Sequence, residues 1–131
     1  MTADLPERGE IWLVRFDPSV GDEIRKERPA VVLSSTRLIR LKLRIVVPLT
    51  GWSPAFDQFP WHYKVEANKQ TGLSKTSSAD ALQIKSVSVM RFVKKLGSIS
   101  ESDLDEITQA RLASPYGDSL SRPQVPSSPS R

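Results

Sequence analysis

The chain is 131 residues long, 38% hydrophobic and 26% charged, with no cysteine and one histidine. That length holds one compact domain and a tail, not two ordinary domains. The composition excludes a disulfide scaffold, thiolate metal ligation, a cysteine nucleophile and a two-histidine ribonuclease centre, and no metal or cofactor is expected. No apolar run reaches the roughly 20 residues that span a bilayer, and MTADLPERGE lacks an apolar signal core. A cytoplasmic protein that stays off membranes is therefore expected.

The formal charge is +4. Residues 1–100 carry 16 Lys/Arg against 10 Asp/Glu, whereas residues 101–131 carry 3 against 5. A basic body beside an acidic segment suits a polyanionic ligand, because phosphate contacts dominate nucleic-acid affinity. Charge alone favours the plainer reading of a solvated, slightly basic surface.

In chain order, five stretches bounded by Gly, Pro, Ser or Asp read as strands: Glu10–Phe16, Ala30–Ser34, Lys42–Leu49, Trp61–Ala67 and Ala81–Val89. A short sixth, Arg91–Lys94, continues the sheet. Val31 and Leu33 should alternate with Ala30 and Val32 across it, with both faces partly covered. A weak helical signal spans Thr36–Leu41. The firm helix is Ser100–Ala113, where Ser100 or Ser102 caps, four acids favour the N-terminal dipole, and Leu104, Ile107 and Leu112 form one apolar stripe. The remainder, SPYGDSLSRPQVPSSPSR, has four prolines and six serines, too little apolar surface to offset ordering entropy. The expected organisation is one mainly β domain over 1–113 with a C-terminal helix packed across it, then a disordered tail over 114–131.

The segment Asp17–Pro29 (DPSVGDEIRKERP) is longer than a hairpin turn, and loops of that length are often functional. Pro18 and Gly21 punctuate it, and Asp22, Glu23, Arg25, Lys26, Glu27 and Arg28 follow. Pro29 biases Arg28 toward an extended conformation, placing its guanidinium at the start of a strand. Charges spaced this way also fit a solvated, ion-paired loop.

Arg8-Gly9-Glu10-Ile11-Trp12, Phe16-Asp17-Pro18, Gly21-Asp22-Glu23 and Arg28-Pro29-Ala30-Val31-Val32-Leu33-Ser34 together resemble the opening signature of the MazF/PemK family. Val47-Pro48-Leu49-Thr50, Gly72-Leu73-Ser74-Lys75, Gln83-Ile84-Lys85-Ser86-Val87 and Leu96-Gly97-Ser98-Ile99 are similar to its later segments, so the resemblance covers roughly residues 7–113. It implies an SH3-like barrel of the CcdB/MazF toxin type, a homodimer, and cleavage of single-stranded RNA at short sequences, neutralised by a cognate antitoxin. Contact with DNA is implied only through that antitoxin. Carried over by position, Arg28 matches the catalytic arginine, Thr50 the catalytic threonine, and Glu23 an acidic loop residue that assists in some members. Gln83 and Lys85 fall on the strand that lines the family's RNA groove, and Arg25, Lys26 and Trp52 are expected as further RNA contacts. Lys85 stands where many relatives have arginine, keeping the charge but losing the bidentate fork.

The chemistry is consistent with these residues. Metal-free RNA cleavage uses the adjacent 2′-hydroxyl as nucleophile and leaves a cyclic phosphate. Arg28 would supply donors to the phosphate oxygens, and stabilisation of that kind usually contributes most to such catalysis. Its basicity argues against a role as general acid. Thr50 would orient the phosphate or relay a proton, and Glu23 is the candidate general base.

His62, flanked by Trp61 and Tyr63, is expected to be structural. Residues 51–63 hold five of the nine aromatics. Of these, Trp52 and Phe56 could equally be core, stack on unpaired bases, or grip an antitoxin. Lys94-Lys95 and the bases of Arg37–Arg44 are expected to be solvated. Two competing readings are a gyrase poison on the same barrel and a non-catalytic nucleic-acid-binding module. The gyrase-poison branch ends in Trp-Gly-Ile, whereas this chain ends in a Ser/Pro tail.

Overall fold

The structure, a computed structural model, describes residues 5–16, 27–35 and 40–112, the side chains of 110–112 excepted. The weak helical stretch at Thr36–Leu41 lies largely outside them, as do Glu23, Arg25, Lys26 and the Ser/Pro tail. Among the described residues seven strands precede one α-helix: β1 (Glu10–Arg15), β2 (Glu27–Val32), β3 (Leu43–Gly51), β4 (His62–Val65), β5 (Ser77–Asp80), β6 (Lys85–Ser88), β7 (Phe92–Ser98) and α1 (Glu101–Leu112). All pairings are antiparallel, in the order β4-β5-β3-β2-β1-β7, with β6 also pairing β3.

The nine-residue β3 organises the sheet. One edge pairs β2 through Ala30↔Pro48, Val31↔Val47 and Val32↔Val46. Its other edge is shared, with Leu43–Val46 on β6 and Leu49–Gly51 on β5. The β1–β7 ladder shifts register at Ile11/Trp12 and Leu13/Val14, and such irregularities bend and twist a sheet.

The expected alternation along β2 divides the core in two. Val31 joins Ile11, Val47, Leu49, Val65, Ala79, Ile99, Leu104 and Ile107 on the helix side. Ala30 and Val32 join Trp12, Val14, Val46 and Val87 on the opposite face. Period-2 patterning explains this, since neighbouring strand residues point to opposite faces. On the first face α1 is started by Ser100, whose Oγ accepts from Asp103 N at 3.0 Å, and it buries Leu104 and Ile107 as expected. Tyr63 on β4 anchors the same helix by donating to Asp103 Oδ1 at 2.5 Å.

The expected strand over Ala81–Val89 is corrected. There the structure has one short strand, β6, between 3₁₀ turns at Ala81–Gln83 and Val89–Arg91, and β5 ends just before it at Asp80. Asp80 caps the first turn through Leu82 N and Ser88 the second through Met90 N. These local side-chain bonds compete with the ladder. The sequence SSAD of β5 lacks the β-branched signal of a strand, yet Ser77, Ser78 and Ala79 are buried because small side chains let the layers approach. The last strand extends to Ser98, well past the expected Lys94.

Arg44 departs from the expected solvated basic face. It is 2% exposed and donates to the carbonyls of Pro6 (2.8 Å), Leu41 (2.6 Å) and Leu43 (2.9 Å), pinning the N-terminal segment. Glu10 plays a similar clasp role. Burial pushes its carboxyl up, but hydrogen bonds from Trp12 Nε1, Glu7 N and Lys95 outweigh that and hold it below its ordinary value. No helix among the described residues is long and apolar enough to cross a membrane.

Candidate functional site

Arg28 enters the site as the second residue of β2, paired with Val14 on β1. Thr50 lies near the end of β3, paired with Ser78 on β5. The β2–β3 ladder closes at Ala30↔Pro48, two residues from Arg28 on one strand and from Thr50 on the other, and both line the clefts beyond that point. By strand alternation Arg28, Thr50 and its partner Ser78 lie on the face of Ala30 and Val46, opposite α1. Rigid strands hold the first two, which suits a site that must be preorganised.

Two clefts meet at this pair. The first, about 320 Å³, is lined by Arg28 and Thr50 with Gln83, Lys85, Phe16, Pro48 and Asp80. Four residues expected from the sequence therefore converge, although they lie as far apart in the chain as 28 and 85. Gln83 closes the 3₁₀ turn and Lys85 opens β6, where it pairs with Val46 of β3. Lys85 Nζ sits 5.2 Å from the Phe16 ring centroid, so an aromatic face backs the cation. The second cleft, about 480 Å³, also contains Arg28 and Thr50, and runs toward Gly51, Ser74, Lys75 and Ser77.

Trp52 is not among the residues lining either cleft. Its ring meets Phe56 edge-on at 5.7 Å and carries Lys64 Nζ at 5.2 Å, while its backbone N donates to Thr76 O. Phe56 in turn stacks on His62 at 3.9 Å with 3° between the planes. His62 bonds Ser78 Oγ through Nδ1 at 2.8 Å, consistent with its structural reading. Sequence reasoning missed Phe16, Asp80 and Lys75 as cleft residues. Phe16 and Lys75 stand inside the family-like segments, which could have flagged them, and nothing local marks Asp80.

Chemically, the pair offers a guanidinium fork and a hydroxyl at the junction of two open grooves, with Lys85 in one and Lys75 in the other. A phosphodiester seated there would meet charge-assisted donors on a rigid support. Among the described residues, no three His, Asp or Glu side chains gather as a metal-ligand cluster.

Comparison with known proteins assigns the chain to a family. The model of the PemK-like, MazF-like toxins of type II toxin-antitoxin systems matches residues 7–113. The endoribonuclease MazF9 of Mycobacterium tuberculosis is 35% identical over 109 residues, covering 79% of this chain and 90% of that protein. The endoribonuclease PemK of Escherichia coli is 44% identical over a shorter stretch of 46 residues, 34% of this chain and 35% of PemK. The MazE–MazF structure from Deinococcus radiodurans shares the fold, with a TM-score of 0.68 at 22% identity, over 84% of this chain and 95% of that one. A mycobacterial endoribonuclease in complex with its cognate antitoxin aligns with a TM-score of 0.63 at 16% identity, over 88% and 96% of the two chains. The chain therefore belongs to the PemK-like, MazF-like toxins of type II toxin-antitoxin systems, a family of RNA-cleaving endoribonucleases.

Proposed function

We propose that this chain cleaves single-stranded mRNA without a ribosome or a metal ion, at a short sequence, with Arg28 and Thr50 as its catalytic residues. The observation carrying this reading is their convergence with Gln83 and Lys85 in one cleft. The 2′-hydroxyl attacks the adjacent phosphorus and the P–O5′ bond breaks. One product ends in a 2′,3′-cyclic phosphate and the other begins with a 5′-hydroxyl. The attacking hydroxyl loses a proton and the leaving oxygen gains one, so the net proton count is unchanged.

Arg28 stabilises the charge that accumulates on the phosphoryl oxygens, an interaction stronger in the transition state than in the ground state. Thr50 orients the phosphate from the neighbouring strand. Glu23, of the loop preceding β2, is the proposed base, and Arg25 and Lys26 of that loop contact the RNA. Gln83 and Lys85 bind the strand along the first cleft. Trp52, with its Phe56 and Lys64 neighbours, offers a stacking surface beside the clefts.

A cognate antitoxin is the proposed inhibitor, a short acidic and apolar segment that orders on the basic groove. A homodimer is the proposed active form, and exposed Leu41, Leu43, Ile45 and Met90 supply apolar area for pairing. The test is incubation of the purified protein with a long single-stranded RNA, with and without chelator, followed by sequencing of the new 5′ ends. Cleavage that survives the chelator and is lost in a folded Arg28→Ala variant is expected, with a decrease on the order of 10² or more. Binding without cleavage, or an unimpaired Arg28→Ala, overturns the reading.

A further inference from the structure

The first cleft accounts for only one direction away from Arg28 and Thr50. The second shares the same two residues and leaves them toward the turn before β5. Lys75 lies on this side. A Cβ built on Gly51 would come within 3.2 Å of Lys75 Nζ and 3.3 Å of its Cε, so the lysine chain lies across the strand residue that follows Thr50. Gly51 leaves the space that this path requires. Among the cleft's described residues the single carboxylate, Glu27, is engaged by Arg15 at 3.5 Å. Leu73 and Leu96 give the same cleft apolar wall, suited to a sugar or a base.

We propose that this second cleft binds the flank of the RNA strand opposite to the flank held at Gln83 and Lys85, with Lys75 contacting a phosphodiester there. The inference rests on the endoribonuclease reading and extends it to the path of the substrate. A single strand passing through the junction has one phosphate at Arg28 and Thr50. Neighbouring phosphates on its two sides then meet cations in different grooves, so the enzyme holds both flanks while the central bond is cut. Lys75 is a substrate-positioning cation in this scheme, because strand placement rather than bond cleavage depends on it.

Once the cleavage motif is known, the experiment uses full-length protein and RNA oligonucleotides carrying one 2′-deoxy nucleotide at the attacking position. Binding is measured against salt for wild type, Lys75→Gln and Lys85→Gln, whose folding is checked by thermal melts. Losing one single-strand phosphate contact lowers the salt slope by about 0.7. Lys75→Gln should show that decrease, and on cleavable RNA a several-fold higher KM with kcat nearly unchanged. Oligonucleotides truncated on the 5′ or the 3′ side then separate the grooves. The Lys75 effect should vanish with one truncation and the Lys85 effect with the other. Gly51→Ala, which crowds the lysine's end, should reproduce part of the Lys75→Gln change in KM. An unchanged slope in Lys75→Gln, or loss of both effects with the same truncation, overturns the proposal while leaving the nuclease reading intact. Wild-type protein that neither binds nor cleaves any RNA removes both.

Discussion

As the proposed catalytic pair, Arg28 and Thr50 would act through atoms that strand geometry places, with a chemistry specific to residue type. A lysine at 28 would keep the charge but not the planar fork that engages two phosphoryl oxygens. Arg28→Lys is therefore expected to retain RNA binding and to lose at least about 10-fold in kcat/KM. Equal turnover in the two proteins, measured on one RNA, would contradict a bidentate role. Gly72 is demanding for another reason. Its φ is +69°, and an added Cβ would lie 1.9 Å from the Leu96 carbonyl oxygen. The turn it ends is tied to β7 by Ser98 N donating to Gln70 O at 2.8 Å, so the backbone has no room to retreat. Gly72→Ala is expected to destabilise by roughly 2–4 kcal/mol, with strain and the clash contributing together. Urea titration of the variant reads it directly.

At the level of elements, the signature opening at Arg8–Trp12 is a clasp rather than a site. Arg8 donates to Leu33 O at 2.8 Å, Gly9 N to Val32 O at 2.8 Å, and Trp12 Nε1 to Glu10 Oε1 at 2.8 Å. The first two bonds tie the start of β1 to the end of β2, which carries Arg28, and the third orders side chains within β1. Helix α1 is fixed from the other face by Tyr63. Burial, followed by the hydrogen bond and charge of Asp103 and the charge of Glu106, pushes the Tyr63 phenol from 10.0 up to about 12. A folded value above the unfolded one means that this contribution is whole below pH 10 and fades as the pH climbs toward 12. Tyr63→Phe should cost about 1 kcal/mol at neutral pH. The stability difference between wild type and variant should shrink between pH 10 and 12. A constant difference across that window in chemical melts would rule out the titration.

Across the whole molecule, two cores lie back to back on one sheet. Val46 belongs to the cluster on the cleft face and Ile107 to the cluster under the helix. Since one sheet carries both, unfolding should be a single cooperative event. Ile107→Val should cost about 1 kcal/mol and Val46→Ala about 2–3 kcal/mol. The double variant should lose the sum within about 0.5 kcal/mol, with an unchanged denaturant slope. Two separated transitions would instead show that the helix side melts on its own.

Much of this architecture was legible in the order of residues. Alternation along Ala30–Leu33 sorted side chains to two faces, the cap and stripe of Ser100–Ile107 defined the helix, and Pro29 placed Arg28 on a strand. Such signals are local, set by backbone sterics and by the period of apolar residues. Other features have no local signature. SSAD forms β5 because its small side chains fit between layers, Arg44 is buried because the distant Pro6 carbonyl joins those of Leu41 and Leu43 around it, and His62 is held by a serine 16 residues away. Arg28 and Thr50 were expected together from resemblance, but the pairing of β2 with β3, which closes at Ala30↔Pro48, brings them to shared clefts, and the second groove with Lys75 forms where Gly51 on β3 meets the turn before β5. Residue type and local periodicity determined which groups the chain could use. Long-range strand pairing alone decided which of them share a cleft, because proximity across a sheet depends on register rather than on distance along the chain.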